Sequence, residues 1–335
     1  MAPRAHILAA VLAFGLGAAA CGHPTPDPGF VQAGPEARLE ALNAADIRVA
    51  WVSWRLARAN ADLCPVTRLR AGWTLQSANQ YGGELRQAAE ARYGLDGDLP
   101  GILAAPRGSP AAEAGLAPGD LILSIDGQPL SRGEGAAESY DGLQANAATL
   151  DAAAAQGPVT LRVRRAGVER EVAVHPTSAC VYPTQVEVTG KLRSRADGRN
   201  IFISDGMVSV AADDDQLAFV LAHELAHAVL EHRTRPDVTG ARGASNGAIT
   251  LRRGLSLSAE ADADRMGLYL LARAGFDPYL AVEFLTRFEA ADRGARFAQF
   301  NSGGIYESAP VRRRALQPVL ADIAARKAAN RALIP

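Results

Sequence analysis

Apolar residues recur along this chain with two different periods. Over residues 35–62 the pattern is helical: Ala, Leu, Arg and Glu dominate, with Leu39, Leu42 and Trp54 among the apolar positions. Pro35 suits a first helical position, and Cys64-Pro65 ends the run. Between about 70 and 176 the period shortens to two. Gly108 to Asp120 reads as a short helical turn and a Pro-Gly-Asp turn, Leu121 to Ile125 as an apolar strand, and Asp126-Gly127 as a hairpin turn. A helix over 141–156 follows, stopped by Gly157-Pro158. Val159, Leu161 and Val163 then alternate with Thr160, Arg162 and Arg164 as a half-buried strand. Ala166-Gly167 turns that strand into a partner through Val172 and Val174. Further on the period lengthens again, with Leu217, Val220, Leu221, Leu225 and Val229 on one helix. A second helix runs from Ser258 through Leu268, Leu270 and Leu271 to a stop at Gly275. The pattern predicts an α+β protein.

The chain has 335 residues, enough for roughly two domains. Its apolar and charged fractions, 48% and 21%, are those of a globular protein and exclude wholesale disorder. The formal charge of −1 offers no basic excess to displace counterions from a phosphate backbone, so nucleic-acid binding has no electrostatic support. At the N-terminus, Arg4 precedes an apolar run of about 14 residues, shorter than the roughly 20 that a spanning helix needs. It reads as a signal peptide over residues 1–20, and removing Arg4 with it takes the charge to −2. The small residues leading into Cys21 resemble the bacterial lipoprotein cleavage box, which implies lipidation at Cys21; ordinary cleavage near Ala20 is the alternative. Residues 21–35 are a Pro-rich tether. An exported chain with only Cys64 and Cys180 left most simply forms one disulfide between them, contributing about 4–5 kcal/mol in the chain-entropy model.

The chemistry lies in a histidine cluster. Of six histidines, three fall within ten residues. His223 and His227, four apart, project from one face of an amphipathic helix opened by Asp213, Asp214 and Asp215, and can converge on one zinc ion. Glu224, offset around the helix, can reach the attacking water without ligating the metal. A third histidine six residues after His227 is absent, since that position is Arg233. His232 falls one short, and Glu231 lies two turns along the same helix from His223, too far to share an ion. The third ligand must come from another element. Glu260 is the candidate, with Asp264 on the same face to accept a hydrogen bond from a ligating histidine, taken as His227, and fix its tautomer.

Two resemblances follow. Gly108 to Gly127 resembles the pattern of PDZ domains attached to bacterial proteases, implying a domain over about 70–176 that holds peptide C-termini at a sheet edge. Tyr93-Gly94-Leu95 is the candidate carboxylate-binding loop; a PDZ fold that only positions domains is the alternative. His-Glu-x-x-His, followed 33 positions after His227 by Glu-x-x-Ala-Asp, resembles the zinc metallopeptidase family that includes the CAAX prenyl protease type 1 and the β-barrel assembly-enhancing protease. That implies a mainly helical, zincin-like peptidase domain over 177–335, preceded by the PDZ domain and by an N-terminal helical region over 36–69. It also implies one zinc per chain held by His223, His227 and Glu260, with Asn200 to Ser204 as an active-site edge strand. Where the family often carries a His-Pro pair, Ser308-Ala309-Pro310 stands here, and Tyr306 is a candidate oxyanion donor.

The expected function is a zinc endopeptidase acting on protein substrates at the periplasmic face of the bacterial envelope, held there by lipid and engaged in quality control, with Glu224 as general base. Residues 236–257 read equally as a lid or a linker. The alternative is a PDZ-led chaperone or adaptor with an inactive peptidase body. A nucleotide-binding or redox enzyme is disfavoured by the absence of a phosphate-cradling Gly-rich loop and of a Cys-x-x-Cys pair.

Overall fold

The computed structural model describes residues 34–133, 137–232, 257–298 and 307–334, with backbone alone at 293–298. The signal segment, Cys21, the tether, Tyr306 and nearly all of 236–257 lie outside the described residues. Among those described, no helix is long and apolar enough to cross a membrane.

Helix α1 (Pro35–Ala59) starts on Gly34 with Pro35 in its first turn and ends at Asn60. The Asn60 side-chain amide donates to Leu56 O and to Leu270 O, so the helix end is tied to a distant element. Strand β1 (Thr67–Arg70) then pairs antiparallel with β8 (Thr177–Cys180). The Cys64–Cys180 disulfide lies beside this pair, its cysteines 116 residues apart in sequence. Strand pair and disulfide together make a neck, and everything between them is an insertion.

That insertion is built on one sheet in the order β2-β3-β4-β6-β7, with β5 attached to β4. The strands are β2 (Thr74–Gln76), β3 (Gly101–Ala104), β4 (Leu121–Ile125), β5 (Gln128–Pro129), β6 (Val159–Arg165) and β7 (Val168–Val174). Asp126 and Gly127 both have positive φ, 48° and 78°, as the two-residue turn joining β4 to β5 requires. Ala166 and Gly167, at 49° and 81°, join β6 to β7 in the same way. The inward residues of β6, Val159, Leu161 and Val163, meet Val172 and Val174 of β7 in a core closed by Leu150 of α4 (Asp141–Ala154). Two shorter helices, α2 (Gly83–Tyr93) and α3 (Pro110–Glu113), complete the unit. A separate small cluster of Ala78, Tyr81, Ala89, Leu95, Leu99 and Leu121 packs against Leu39 near the start of α1.

The remaining strands, β9 (Thr184–Glu187), β10 (Ser194–Ala196) and β11 (Ile201–Ser204), form a three-stranded sheet in the order β10-β11-β9. The expected active-site edge at Asn200 to Ser204 is therefore corrected: β11 is the central strand, antiparallel to β10 and parallel to β9. Its residues Ile201 and Ile203 pack into the core shared with the helices, and Ser204 is buried with them. Among the described residues, β9 and β10 are the edges of this sheet.

Among the described residues, six helices complete the body: α5 (Asp205–Val210), α6 (Asp214–Val229), α7 (Leu257–Arg273), α8 (Pro278–Ala281), α9 (Glu283–Ala298) and α10 (Ala309–Ala328). Their shared core takes in Val49, Val52, Trp54 and Leu56 from α1 together with Leu217, Leu221, Leu268, Leu271, Leu316 and Leu320. The helix expected as an N-terminal region of its own is thus packed into the helical body along its second half. It also touches the inserted unit, through Leu39 near its start and through Trp54, whose ring lies beside Gly72.

Candidate metal centre

Helix α6 forms where its sequence places a cap, acids and an apolar stripe in order. The Asp213 carboxylate accepts from Gln216 N–H at 2.9 Å, and Asp214 and Asp215 follow in the first turn, where negative charge complements the helix dipole. Gln216 to Ala228 are all buried. His223, Glu224 and His227 are only 6%, 3% and 3% exposed, so their polar atoms depend on partners within the protein.

Helix α7 supplies those partners by crossing α6 at close range. At the crossing stands Gly267, where a Cβ would lie 3.2 Å from the His223 backbone nitrogen. Glycine is costly inside a helix, and here its missing side chain lets the two backbones approach. The approach sets Glu260 and Asp264 of α7 against His223. Glu260 Oε2 lies 3.2 Å from His223 Nε2 and 3.6 Å from His227 Nε2, and the two Nε2 atoms are 3.1 Å apart.

This triangle fits a metal. Three donors at 2.0–2.1 Å in a tetrahedral shell stand about 3.3 Å from one another, and two imidazoles with one carboxylate are a donor set that zinc accepts. His223, His227 and Glu260 are the described group whose donor atoms converge in this way. The electrostatics agree. Burial by itself lowers the His223 pKa, but the hydrogen bonds and charge of Asp264 and Glu260 outweigh it and raise it to about 10. Burial likewise opposes ionisation of Glu260, yet its contacts with His223 and His227 hold its carboxyl well below the usual range. The pocket is one that retains positive charge.

The carboxylate of Asp264 does not meet His227 as expected. Asp264 Oδ1 lies 2.9 Å from Nδ1 of His223, because the crossing at Gly267 brings this turn of α7 over the first histidine. Arg312 of α10 grips the same carboxylate with two hydrogen bonds, Nε to Oδ2 at 2.7 Å and Nη2 to Oδ1 at 2.6 Å. Burial opposes the charge on Asp264, but His223 and Arg312 hold its pKa below the ordinary value. Ser308-Ala309-Pro310 begins α10 as cap and first turn, so its structural part is to start the helix that carries Arg312. No local pattern points to Arg312, which reaches the site only through helix packing.

His227 has a different neighbour, His232, at 2.9 Å between Nδ1 atoms. The expectation that Glu231 continues the helix is also corrected: α6 ends at Val229, and Glu231 has φ 54°.

On the sheet unit, Tyr93-Gly94-Leu95 does not form a carboxylate-binding loop. Gly94 closes α2 in the left-handed region, its N–H donating to Glu90 O at 2.9 Å, and Leu95 is buried in the cluster that faces α1. The glycine of this triplet serves to stop a helix. The edges of the sheet are β2 and β7. At the entry to β2, the Trp73 indole N–H donates to Asp151 of α4 at 3.2 Å, bridging that edge to the neighbouring helix.

A His-Glu-x-x-His helix crossed by a second helix that brings a glutamate to both imidazoles is the arrangement of metallopeptidases of the zincin kind. More specifically, residues 193–242 match the model of peptidase family M48, and residues 101–165 match that of the PDZ domain. Among curated proteins it is similar to the mitochondrial metalloendopeptidase OMA1 of Saccharomyces cerevisiae, with 30% identity over 125 residues. That match covers 32% of this chain and 35% of the yeast protein, so the chain spans about a third of its relative's length. Among solved structures, an HtrA-type protease (AlgW) with decapeptide matches at 25% identity over 34% of this chain and 30% of that one, with a TM-score of 0.23.

Proposed function

We propose that this protein is a zinc-dependent endopeptidase, acting on proteins at the bacterial cell envelope. The observation that carries the reading is the donor triangle of His223, His227 and Glu260 with Glu224 on the same buried helix. One zinc ion per chain fits those donors. Held there, zinc supplies a Lewis acid that polarises a peptide carbonyl and acidifies water.

The chain's own residues do the rest. Asp264, held by Arg312, orients the His223 ring, and its position at Nδ1 leaves Nε2 for the ion. Glu224 accepts the proton of the attacking water and returns it to the leaving amine nitrogen. The free edge of β10, beside α6, is where an extended substrate adds as a further strand. An apolar cleft lined by Leu257, Ala261, Val311 and Leu316 opens next to Glu260 and suits an apolar substrate side chain.

Envelope location and a lipid anchor at Cys21 are further parts of the proposal, supported by the signal-like start of the sequence and by the Cys64–Cys180 disulfide, a bond favoured in oxidising compartments. Quality control of exported proteins, with the PDZ domain recruiting substrate or restraining the site, completes it. An inactive peptidase body serving as an adaptor is a second reading, favoured by the helix-start role of Ser308-Ala309-Pro310, which supplies no histidine.

Casein cleavage and zinc content, measured together, test the proposal. The parent is expected to hold about one zinc per chain, fitting a single donor set, and to lose cleavage in chelator. Glu260→Ala is expected to lose both zinc and cleavage. A parent that binds zinc but never cleaves would establish the adaptor reading instead.

A further inference from the structure

Helix α6 stops just after its second metal-site histidine, and the way it stops has a chemical result. Val229 is the last helical residue and Leu230 the cap. Glu231 then takes the left-handed conformation at φ 54°, a position usually given to glycine. Two reversed backbone bonds close the turn, Glu231 N–H to Ala228 O at 3.1 Å and His232 N–H to His227 O at 3.0 Å. This paired-bond helix end folds the residue after the turn back over the one that begins the last helical turn, and the two side chains commonly make an apolar contact. Here those two residues are His232 and His227.

We infer that His232 is a positioning residue for His227, set in place by the left-handed turn at Glu231. The inference rests on the reading of His223, His227 and Glu260 as a metal site. His232 is 2% exposed, and its ring stands 5.1 Å from that of His227, centre to centre, at 63°. Nitrogens 2.9 Å apart require one N–H and one lone pair. Nε2 of His227 faces His223 and Glu260, so its lone pair belongs to the metal side and its proton to Nδ1. His232 Nδ1 is then the acceptor, with its own proton on Nε2.

The two imidazoles of the site are therefore backed differently. His223 leans on a carboxylate, Asp264, which Arg312 neutralises. His227 leans on a neutral ring. A neutral acceptor fixes tautomer and ring direction without adding negative charge around the ion. Among the described residues, the ligand carboxylate Glu260 has no arginine paired with it in the way Arg312 pairs with Asp264.

Zinc alone is the probe, titrated into the metal-free full chain in competition with a chelator of known affinity. His232→Leu, which removes the acceptor, is expected to weaken zinc binding by about 10- to 100-fold, the usual cost of losing a partner behind a ligand. His232→Asn, whose amide oxygen accepts from Nδ1–H, is expected to recover most of that loss. Glu231→Gly keeps the left-handed turn and is expected to bind as the parent does. In the zinc-loaded parent, imidazole nitrogen NMR should show His227 protonated at Nδ1, an observation that holds even where His232→Leu fails to fold. Parent-like zinc affinity in a folded His232→Leu overturns the inference, as does a His227 protonated at Nε2. A parent that binds no zinc overturns the metal reading itself, which separates the two failures.

Discussion

The inserted sheet and the helical body bury apolar surface by opposite means. The sheet builds part of its core from near neighbours: β6 and β7 meet through a two-residue hairpin, and Leu161, Val163 and Val172 are all within a dozen residues. The body gathers Trp54 and Leu56 from before the insertion, Leu221 and Leu268 from after it, and Leu320 from near the C-terminus. The metal centre has the same distributed character, drawing on α6, α7 and α10. Locally built structure can yield without taking its surroundings with it, whereas a site made from distant segments fails when any one of them moves. Helix α1 joins the two, with Leu39 against the sheet unit and Val49 to Ala57 inside the body.

The largest effect expected is at the proton-transfer step. Glu224→Gln should lower kcat by about 10²- to 10⁴-fold while zinc content stays at the parent level. Turnover equal to the parent would remove Glu224 from its role and leave the helical body without its chemistry. Next comes the independence of the insertion. Leu161→Ala, at a fully buried position, should destabilise the sheet unit by about 2–5 kcal/mol. Calorimetry is expected to show its transition shifting down while zinc affinity holds; a single merged transition that carries zinc binding with it would break the contrast.

Within the body, Gly267→Ala should show how closely the site depends on one helix crossing. The added methyl meets the backbone of Ala222 and His223 at 3.2–3.3 Å, so α7 must shift outward with Glu260 and Asp264. Overpacking of this kind costs about 1–3 kcal/mol, read here as weaker zinc binding in a chelator competition. An unchanged affinity would mean that the crossing has slack.

The smallest effect belongs to the junction between α1 and the sheet unit. Burial pushes the Asp46 carboxyl up from 3.8 to about 6, and its charge acts in turn on Tyr81 and Tyr140. A raised carboxyl pKa means that the folded state holds a proton which the unfolded chain releases. Its contribution is thus fully present below about pH 4 and lost as pH rises through about 6. Asp46→Asn should flatten the pH dependence of the melting temperature across that window. A parent whose stability rises with pH there, relative to Asp46→Asn, would contradict the assignment.

Much of this was legible in order of locality. The hairpin turns at Asp126-Gly127 and Ala166-Gly167, the alternating strand at Val159 to Val163 and the helix from Pro35 each announce themselves within a few residues. His223 and His227 share a helix face by spacing alone, and Glu260 was reachable because the motif around it could be matched. Tyr93-Gly94-Leu95 misled because a glycine that stops a helix looks, in sequence, like one that opens a binding loop. His232 was visible as a histidine near the motif, yet its use depends on Glu231 adopting a conformation that its residue type disfavours.

Sequence alone settled which residues can carry the chemistry, since side-chain identity and helical spacing are local properties. Tertiary structure decided which of them touch. Asp264 backs His223 rather than His227, β11 is a central strand rather than an edge, and Arg312 enters the site from α10. Each of these depends on how one element lies against another. That choice is made by packing summed over many buried contacts, as at Gly267, and no single stretch of chain encodes it.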